Sequence, residues 1–180
     1  MALGRWRKLS ESVLFQNRWW SYRLDRFELP GGKQGEYHYV HTAGSAMVVP
    51  VAASGKLLLV NQYRYLVEQE SLEFPGGGVP EGSTPEAAAR AELAEETGQA
   101  ATQLTLAGRF NPYNGVTDEM CHVFLARGLS PASGAVPDET EEMELRELAP
   151  AEVDAAIRSG AIWDGMTMAA WCLVRPLLGS

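Results

Sequence analysis

The first forty residues show short apolar and aromatic runs separated by turns. An alternating segment ends in the run Phe27–Leu29 and stops at Pro30-Gly31-Gly32, which is a strong turn signal. A further strand is predicted over Glu36–Val40. Together these segments predict a β-hairpin at the front of the chain.

The middle of the chain has the pattern of a sheet with a helix inserted between its strands. The apolar runs Ala46–Ala52 and Lys56–Tyr63 flank a short Ala-Ser-Gly turn and predict a second hairpin, built from central strands. Further strands are predicted over residues 102–110, 119–127 and 143–148, with a loop over 128–138. Helices are predicted over residues 85–97, 151–159 and about 166–178. This order predicts an α/β sandwich with a mixed sheet.

Composition narrows the class of protein. The 180 residues are 46% hydrophobic, enough for one domain of ordinary size with a small N-terminal extension. A net charge of −8 argues against tight binding to nucleic-acid backbones and suits a site that concentrates cations. No apolar run reaches the ~20 residues that span a bilayer, and Met1–Ser10 lacks the apolar stretch of a secretory signal. We therefore expect a cytoplasmic protein with neither nucleic-acid nor membrane partners.

The helix predicted over residues 85–97 has well-marked ends and an acidic face. Thr84 suits the N-cap, Pro85 the first turn, and Gly98 the position after the last turn. Glu92, Glu95 and Glu96 are spaced i, i+3 and i+4, so they share one face. Their mutual repulsion would be relieved by a hard divalent cation such as Mg²⁺ or Mn²⁺.

An acidic face of this kind is, by itself, more often only a solvated surface. Here it follows at a fixed distance after Gly76-Gly77-Gly78, a loop whose backbone can approach metal and phosphate oxygens. The stretch from Gly76 to Gly98, GGGVPEGSTPEAAARAELAEETG, resembles the signature of Nudix hydrolases, G-x5-E-x7-R-E-U-x-E-E-x-G-U, in which U is bulky and aliphatic.

The resemblance implies a fold and a set of metal ligands. It implies a Nudix-type α/β/α sandwich with a mixed sheet over residues 43–180, preceded by an N-terminal β extension over residues 1–42. Gly77 matches the first glycine of the signature. By the same resemblance Glu92 and Glu96 are the main ligands of Mg²⁺ or Mn²⁺, Glu95 supports them in metal binding and catalysis, and the Gly76 carbonyl is a further ligand.

Three positions depart from the signature. Ser83 stands where the family has its first glutamate, Ala91 where it has arginine, and Gln99 where it has an aliphatic residue. Arg90 is one residue early, which is about 100° of rotation around a helix. We therefore expect Arg90 to pair with Glu86 at i−4 instead. These departures leave the proposed ligands in place and bear on the rate of catalysis.

Residues outside the signature are similar to the ADP-ribose and nucleotide-sugar diphosphatase branch of the family. The run Val60–Tyr65 and the run Glu73–Gly77 carry this likeness. It implies that Arg64 contacts substrate phosphates, which suits its forked donors, and that Glu73 holds Arg64 or supports the metal. Gly77 is assigned to the substrate side. The alternative for Arg64 is a surface arginine at a strand end.

Two further segments are assigned by the same likeness. Asn111–Glu119 resembles a loop that closes over the terminal sugar, with Glu119 on the substrate side or, alternatively, only a carboxylate at a strand start. The acidic run Asp138–Glu142 matches a loop that supplies the general base. Glu139 is the first candidate for the base and Glu141 the second. The alternative is a solvated charge run with no chemical role.

Aromatic residues crowd the first forty positions, where they suit either a base-stacking wall or a homodimer contact; we favour the homodimer. The sequence as a whole predicts metal-dependent hydrolysis of a nucleoside diphosphate sugar. ADP-ribose, giving AMP and ribose 5-phosphate, is the leading substrate, and other nucleotide sugars such as GDP-mannose are close behind. The alternative is a Nudix-fold regulator that binds a nucleotide ligand with weak or no catalysis.

Overall fold

Ten strands, three α-helices and one 3₁₀ turn make up the computed structural model, which describes residues 4–133 and 143–179. The strands are β1 (Arg7–Gln16), β2 (Ser21–Glu28), β3 (Gln34–His41), β4 (Ser45–Pro50), β5 (Leu57–Arg64), β6 (Gln69–Glu73), β7 (Gly76–Gly78), β8 (Gln99–Phe110), β9 (Cys121–Pro131) and β10 (Met143–Leu148). The helices are α1 (Pro85–Thr97), α2 (Pro150–Ser159) and α3 (Gly165–Val174), and the 3₁₀ turn is Arg175–Leu177.

The chain divides into two units. The first comprises Met1–Ala43 and Asn111–Glu119, and the second comprises Gly44–Phe110 and Met120–Ser180. In the first unit, β1, β2 and β3 form an antiparallel sheet in that order, so the predicted hairpin has a third strand. The Val40 amide of β3 donates to the Val116 carbonyl at 2.8 Å, and this hydrogen bond joins Asn111–Glu119 to the sheet.

The second unit contains two sheets. One is mixed, with the order β7-β4-β9-β8, and β4 runs parallel to β9. The other is antiparallel, with the order β10-β5-β6. The α/β class with a mixed sheet is therefore confirmed.

One predicted pairing in this unit holds only at its turn, where the Ala52 amide donates to the Lys56 carbonyl at 2.9 Å. We expected Ala46–Ala52 and Lys56–Tyr63 to form a hairpin, but β4 and β5 belong to different sheets and meet at the isolated bridge between Val51 and Leu57. The reason is that both edges of β4 pair elsewhere, with β7 on one side and β9 on the other. Both strands are nevertheless central in their sheets, as predicted.

Helices cover both faces of the mixed sheet. Alternate residues of β4 point to opposite sides: Ala46 and Val48 pack in a cluster with Ala89 and Leu93 of α1, whereas Met47 and Val49 pack in a cluster with residues of α2 and α3. All six residues of β4 are buried, as expected for a strand covered on both faces. The small side chains of Ala88 and Ala89 let α1 lie close to the sheet.

Several predicted element boundaries differ from the structure: β8 starts at Gln99 rather than 102, β9 at Cys121 rather than 119, and α2 at Pro150 rather than 151. Gly76–Gly78, expected as a loop, is the short strand β7, because it pairs with β4 from Ser45 to Met47. The loop predicted over 128–138 begins later, because β9 stays paired with the start of β8 as far as Pro131. Helix α3 starts at Gly165 rather than at about 166 and ends at Val174.

Across the described ranges 4–133 and 143–179, no helix combines the length and apolarity needed to cross a bilayer.

Candidate functional site

Local interactions fix both ends of α1, the helix that contains Glu92, Glu95 and Glu96. The Thr84 hydroxyl accepts a hydrogen bond from the Ala87 amide at 3.2 Å, and Pro85 occupies the first turn. Gly98 ends the helix with φ of 65°, a left-handed conformation that glycine adopts without strain. The predicted cap, first turn and stop are confirmed.

The three glutamates of α1 differ in their surroundings. Glu92 and Glu96 are half-buried, whereas Glu95 is exposed. Oε2 of Glu96 accepts the amide hydrogen of Gly76 at 3.3 Å. A Cβ atom added to Gly77 would overlap the carboxylate of Glu92. Two of the carboxylates are therefore in direct contact with β7, and any side chain at position 77 would displace the carboxylate of Glu92.

Arg64, the last residue of β5, forms an ion pair with Glu73, the last residue of β6. Nε of Arg64 donates to Oε1 of Glu73 at 2.8 Å, and Nη2 donates to Oε2. Glu73 is 5% exposed, while the Arg64 side chain is 46% exposed. The hydrogen bond to Glu73 raises the pKa of Arg64 above its usual range, with Asp164 and Glu96 adding smaller attractive contributions. Glu73 thus holds one edge of the guanidinium, and the edge around Nη1 points away from Glu73.

The residues Glu73–Gly77, called here the glycine segment, connect Arg64 to the acidic face of α1. The Phe74 amide donates to Oγ1 of Thr167 at 3.2 Å. The Pro75 carbonyl accepts from the Val48 amide at 2.8 Å. Each residue from Glu73 to Gly76 is therefore fixed by a different neighbour, and the segment sets the distance between Arg64 and Glu96.

Arg90 does not replace the signature arginine. Its Nη2 donates to Oε1 of Glu86 at 2.9 Å, and its Nη1 donates to the Ala101 carbonyl at 3.1 Å. The predicted i−4 pairing is confirmed, and Ala91, at the family's arginine position, is exposed. The guanidinium therefore lies toward β8.

The oxygen donors beside β7 suit a hard divalent cation. They are the carboxylates of Glu92 and Glu96 together with backbone oxygens of a strand that has no side chains to block approach. In the part of the chain that the structure describes, no three His, Cys, Asp or Glu side chains converge as a metal-binding group. A cation here would complete its coordination with backbone oxygen and water, which is usual for Mg²⁺.

The remaining predicted site residues either belong to the first unit or fall outside the described residues. Glu119 belongs to the first unit, where its carbonyl accepts from Nδ2 of Asn111 at 2.8 Å and its amide donates to Oγ1 of Thr117 at 3.1 Å. Glu139 and Glu141 lie outside the described residues. The structure therefore brings together Arg64, Glu73, Gly76, Gly77, Glu92 and Glu96.

The first unit contains an aromatic-walled cavity of about 540 Å³. Trp6 stacks on Phe27 with ring centroids 4.5 Å apart, and Nζ of Lys8 pairs with Oδ2 of Asp25 at 2.6 Å. Tyr37 also lines the cavity, and its hydroxyl lies 3.5 Å from the Gly115 carbonyl. The N-terminal aromatics thus form a wall, while several others along β1 and its following turn, such as Phe15 and Trp19, are exposed.

The sequence reading missed two residues that support the site. Asp164 caps α3, since its Oδ2 accepts the Thr167 amide hydrogen at 2.7 Å, and Thr167 is fully buried against Phe74. An Asp three residues before Thr at the start of an apolar run is a helix-start signal. That signal would have placed the helix start, but not its contact with a segment 93 residues away.

The chain is similar to known protein families along most of its length. A family model for the NUDIX domain matches residues 41–168. Another, for the N-terminal domain of nucleoside diphosphate sugar hydrolases, matches residues 6–40. The chain is 32% identical to ADP-ribose pyrophosphatase from Bacillus subtilis (strain 168), over 88% of this chain and 86% of the relative.

Two further similar proteins have names other than ADP-ribose pyrophosphatase. The chain is also 32% identical to a protein named methanol dehydrogenase activator from Bacillus methanolicus, over 87% of this chain and 85% of the relative. A solved structure described as an ADP compounds hydrolase is similar with a TM-score of 0.85 and 23% identity, covering 99% of this chain and 96% of that one. At this identity the structural match establishes the shared fold.

Proposed function

Because this chain belongs to the Nudix family and is a hydrolase, we propose that it cleaves the diphosphate of a nucleoside diphosphate sugar. ADP-ribose, giving AMP and ribose 5-phosphate, is the leading substrate, and GDP-mannose and related nucleotide sugars are the next candidates. The relative named ADP-ribose pyrophosphatase supports this order. The proposal depends most on the contacts of the glycine segment. Glu73 at its start holds the cationic Arg64, and Gly76 near its end donates a hydrogen bond to Glu96 on the acidic face of α1.

Nudix hydrolases generally use divalent metal cations, and we assign the ligands here to α1 and β7. Glu92 and Glu96 would hold Mg²⁺ or Mn²⁺, with Glu95 and the Gly76 carbonyl supporting them. A bound divalent cation supplies positive charge to the diphosphate oxygens and lowers the pKa of a bound water. Side chains of this protein would orient the diphosphate and accept the proton of the attacking water.

Arg64 is the proposed contact for the substrate phosphates. Its ion pair with Glu73 uses Nε and Nη2, so the guanidinium is held in one orientation with Nη1 turned away from the pair. Gly77 has no side chain to obstruct the diphosphate beside β7. Glu119 remains a substrate-side proposal for the terminal sugar. In this arrangement Arg64 offsets charge that builds on the phosphates during cleavage.

A phosphate-release assay tests the activity. The protein is incubated with Mg²⁺ and each member of a panel of nucleotide sugars, and alkaline phosphatase then frees phosphate from the monophosphate products but not from the intact diphosphates. We expect turnover of ADP-ribose that EDTA abolishes and added Mg²⁺ or Mn²⁺ restores; in these samples AMP is measured directly by chromatography, because EDTA also inactivates alkaline phosphatase. Absence of turnover on every member, with ligand still bound, would favour the regulator.

The regulator is the second candidate, a nucleotide-binding protein with weak or no catalysis. Two observations favour it: Ser83 and Ala91 replace signature residues, and Arg90 is engaged by Glu86. The half-buried Glu92 and Glu96 beside β7 favour the enzyme.

Replacing Arg64 with lysine is expected to raise KM for ADP-ribose about tenfold, because lysine has a point charge in place of a planar fork and cannot hold Glu73 and phosphate together. Steady-state kinetics measure the change. Arg146→Lys is the matched control, since Arg146 is exposed on β10 and pairs with Glu144 at 2.7 Å. Equal KM values for wild type and Arg64→Lys would remove Arg64 from substrate binding.

The general base is proposed to be Glu139, with Glu141 as the alternative; the base would take a proton from the attacking water. We expect the Gln substitution at the true base to lower kcat by about a hundredfold or more with little change in KM. The substitution at the other position is the control. An unchanged kcat in both variants would exclude this acidic run from the mechanism.

The N-terminal β extension, residues 1–42, is proposed as a homodimer contact. Every residue of β1 is exposed in the single chain, including Val13 and Phe15, which are 52% and 54% exposed. Apolar surface of this kind is typical of an interface. Light scattering measures the molar mass in solution, and a monomer at micromolar concentration would contradict the proposal. A cytoplasmic location also remains a prediction.

A further inference from the structure

The start of α3 is packed against the middle of the glycine segment. The Phe74 amide donates to Oγ1 of Thr167 at 3.2 Å, and both residues are buried, with 2% and 0% of their surfaces exposed. Thr167 is itself fixed, because its amide donates to Oδ2 of Asp164 at 2.7 Å. The acceptor for Phe74 is therefore held by a capped helix end.

This hydrogen bond lies two residues before the proposed metal site. Phe74 is fixed by α3, Pro75 by the Val48 amide of β4, and Gly76 by Glu96 of α1. A buried amide that loses its acceptor retains the full cost of its desolvation, so the backbone at Phe74 would shift to find another partner. Only Pro75 separates that shift from the amide that holds Glu96.

The same helix start also acts electrostatically on Arg64. Asp164 is among the groups whose negative charge favours the cationic form of Arg64, along with Glu73 and Glu96. The N-terminal turn of α3 thus contacts the glycine segment through Thr167, and Asp164 at the same turn stabilises the positive charge of Arg64.

We propose that Thr167 is a positioning residue that fixes Phe74 and thereby holds the glycine segment in register with Glu92 and Glu96. This inference rests on the proposed function, because it assigns those two glutamates to a divalent cation. Thr167 touches neither substrate nor metal in this view. Its hydroxyl determines how accurately the backbone amide of Gly76 meets Glu96.

The test compares Thr167→Val with Thr167→Ser in the full chain. Valine matches the shape of threonine but removes the acceptor, whereas serine keeps it. We expect Thr167→Val to weaken Mn²⁺ binding about tenfold, the scale typical of losing a residue that orients a metal ligand. Thr167→Ser is expected to stay within about twofold of the wild type. Titration calorimetry with Mn²⁺ alone measures both.

A second readout does not depend on metal or turnover. In the metal-free protein, hydrogen exchange of the Phe74 and Gly76 amides, followed by NMR, is expected to be faster in Thr167→Val than in the wild type and to be restored in Thr167→Ser. The lost acceptor accounts for Phe74, and the loosened contact with Glu96 accounts for Gly76.

Trp163→Phe separates positioning from general destabilisation. Nε1 of Trp163 donates to the Glu70 carbonyl at 3.0 Å, so this change also removes a hydrogen bond between the C-terminal region and β6, but at the end away from the glycine segment. We expect Mn²⁺ affinity and Gly76 exchange to be unchanged in Trp163→Phe. Equal weakening of Mn²⁺ binding in Trp163→Phe and Thr167→Val would overturn the proposal, as would wild-type Mn²⁺ affinity in Thr167→Val.

Failure of the proposed function leaves a different pattern. Suppose that the wild type binds Mn²⁺ but turns over no nucleotide sugar, and that Thr167→Val weakens Mn²⁺ binding. The positioning role then stands, and the reaction assigned to the site is wrong. If the wild type turns over substrate and Thr167→Val matches it in kcat, Mn²⁺ affinity and amide exchange, the reaction stands and the positioning role is wrong.

Discussion

Glu96→Gln is expected to lower kcat/KM for ADP-ribose by about a thousandfold, the scale on which charge-stabilising groups in active sites act. Glutamine keeps the shape of the side chain, and its amide oxygen can still accept the Gly76 amide hydrogen that Glu96 accepts at 3.3 Å. The substitution therefore removes the negative charge that a divalent cation requires while preserving the contact with β7. Steady-state kinetics at several Mg²⁺ concentrations measure the loss, and excess Mg²⁺ should restore part of the rate.

Glu86→Gln is the control for Glu96→Gln. It also removes one negative charge from α1, but Glu86 lies in the first turn and pairs with Arg90 at 2.9 Å. We expect its kcat/KM to remain within about twofold of the wild type, since exposed ion pairs contribute little. Similar losses in both variants would mean that the net charge of the helix matters rather than a ligand at Glu96.

Gly77→Ala is expected to reduce kcat/KM by about a hundredfold, the effect of a displacement near 1 Å in a catalytic arrangement. The added Cβ would overlap the carboxylate of Glu92, so either the glutamate or β7 must move. Since β7 is paired with β4, the side chain of Glu92 moves more readily. The free energy of unfolding should fall by only about 1–3 kcal/mol, the usual cost of overpacking, so the loss of activity occurs in folded protein.

The neighbouring glycine offers a matched control. A Cβ added to Gly78 meets no atom within 4 Å, although Gly78 belongs to the same three-residue strand and pairs with Ser45. We expect Gly78→Ala to keep wild-type kinetics and stability. If Gly77→Ala retains full kcat/KM, or if Gly78→Ala loses as much, the contact between Gly77 and Glu92 does not govern the site.

The parts of the site that the sequence predicts are those set by local chemistry. Thr84, Pro85 and Gly98 fix α1 through caps that involve neighbours in sequence, so its boundaries are confirmed at both ends. The pairing of Arg90 with Glu86 follows from helical spacing and is confirmed as well. Interactions within one turn of a helix can be derived from residue spacing.

The parts that the sequence does not predict depend on distant partners. The turn between β4 and β5 is predicted from a local pattern and is present, with a bridge between Val51 and Leu57. The pairing of β4 with β9 instead of β5 depends on the whole sheet. Gly76–Gly78 has no side chains whose pattern would mark a strand, and its pairing with β4 makes it one. Thr167 cannot be assigned from sequence because it acts on Phe74 across 93 residues.

The parallel pairing of β4 with β9 has a consequence for when the site forms during synthesis. Ser45 and Phe74 leave the ribosome long before their partners Cys121 and Thr167, and contacts between such distant residues form late because a long loop must first be closed. A nascent chain that ends just after Gly98 thus contains the glycine strand β7 and the acidic helix α1, but neither the strand nor the helix that holds them in place. The site is assembled only when the last quarter of the chain is made.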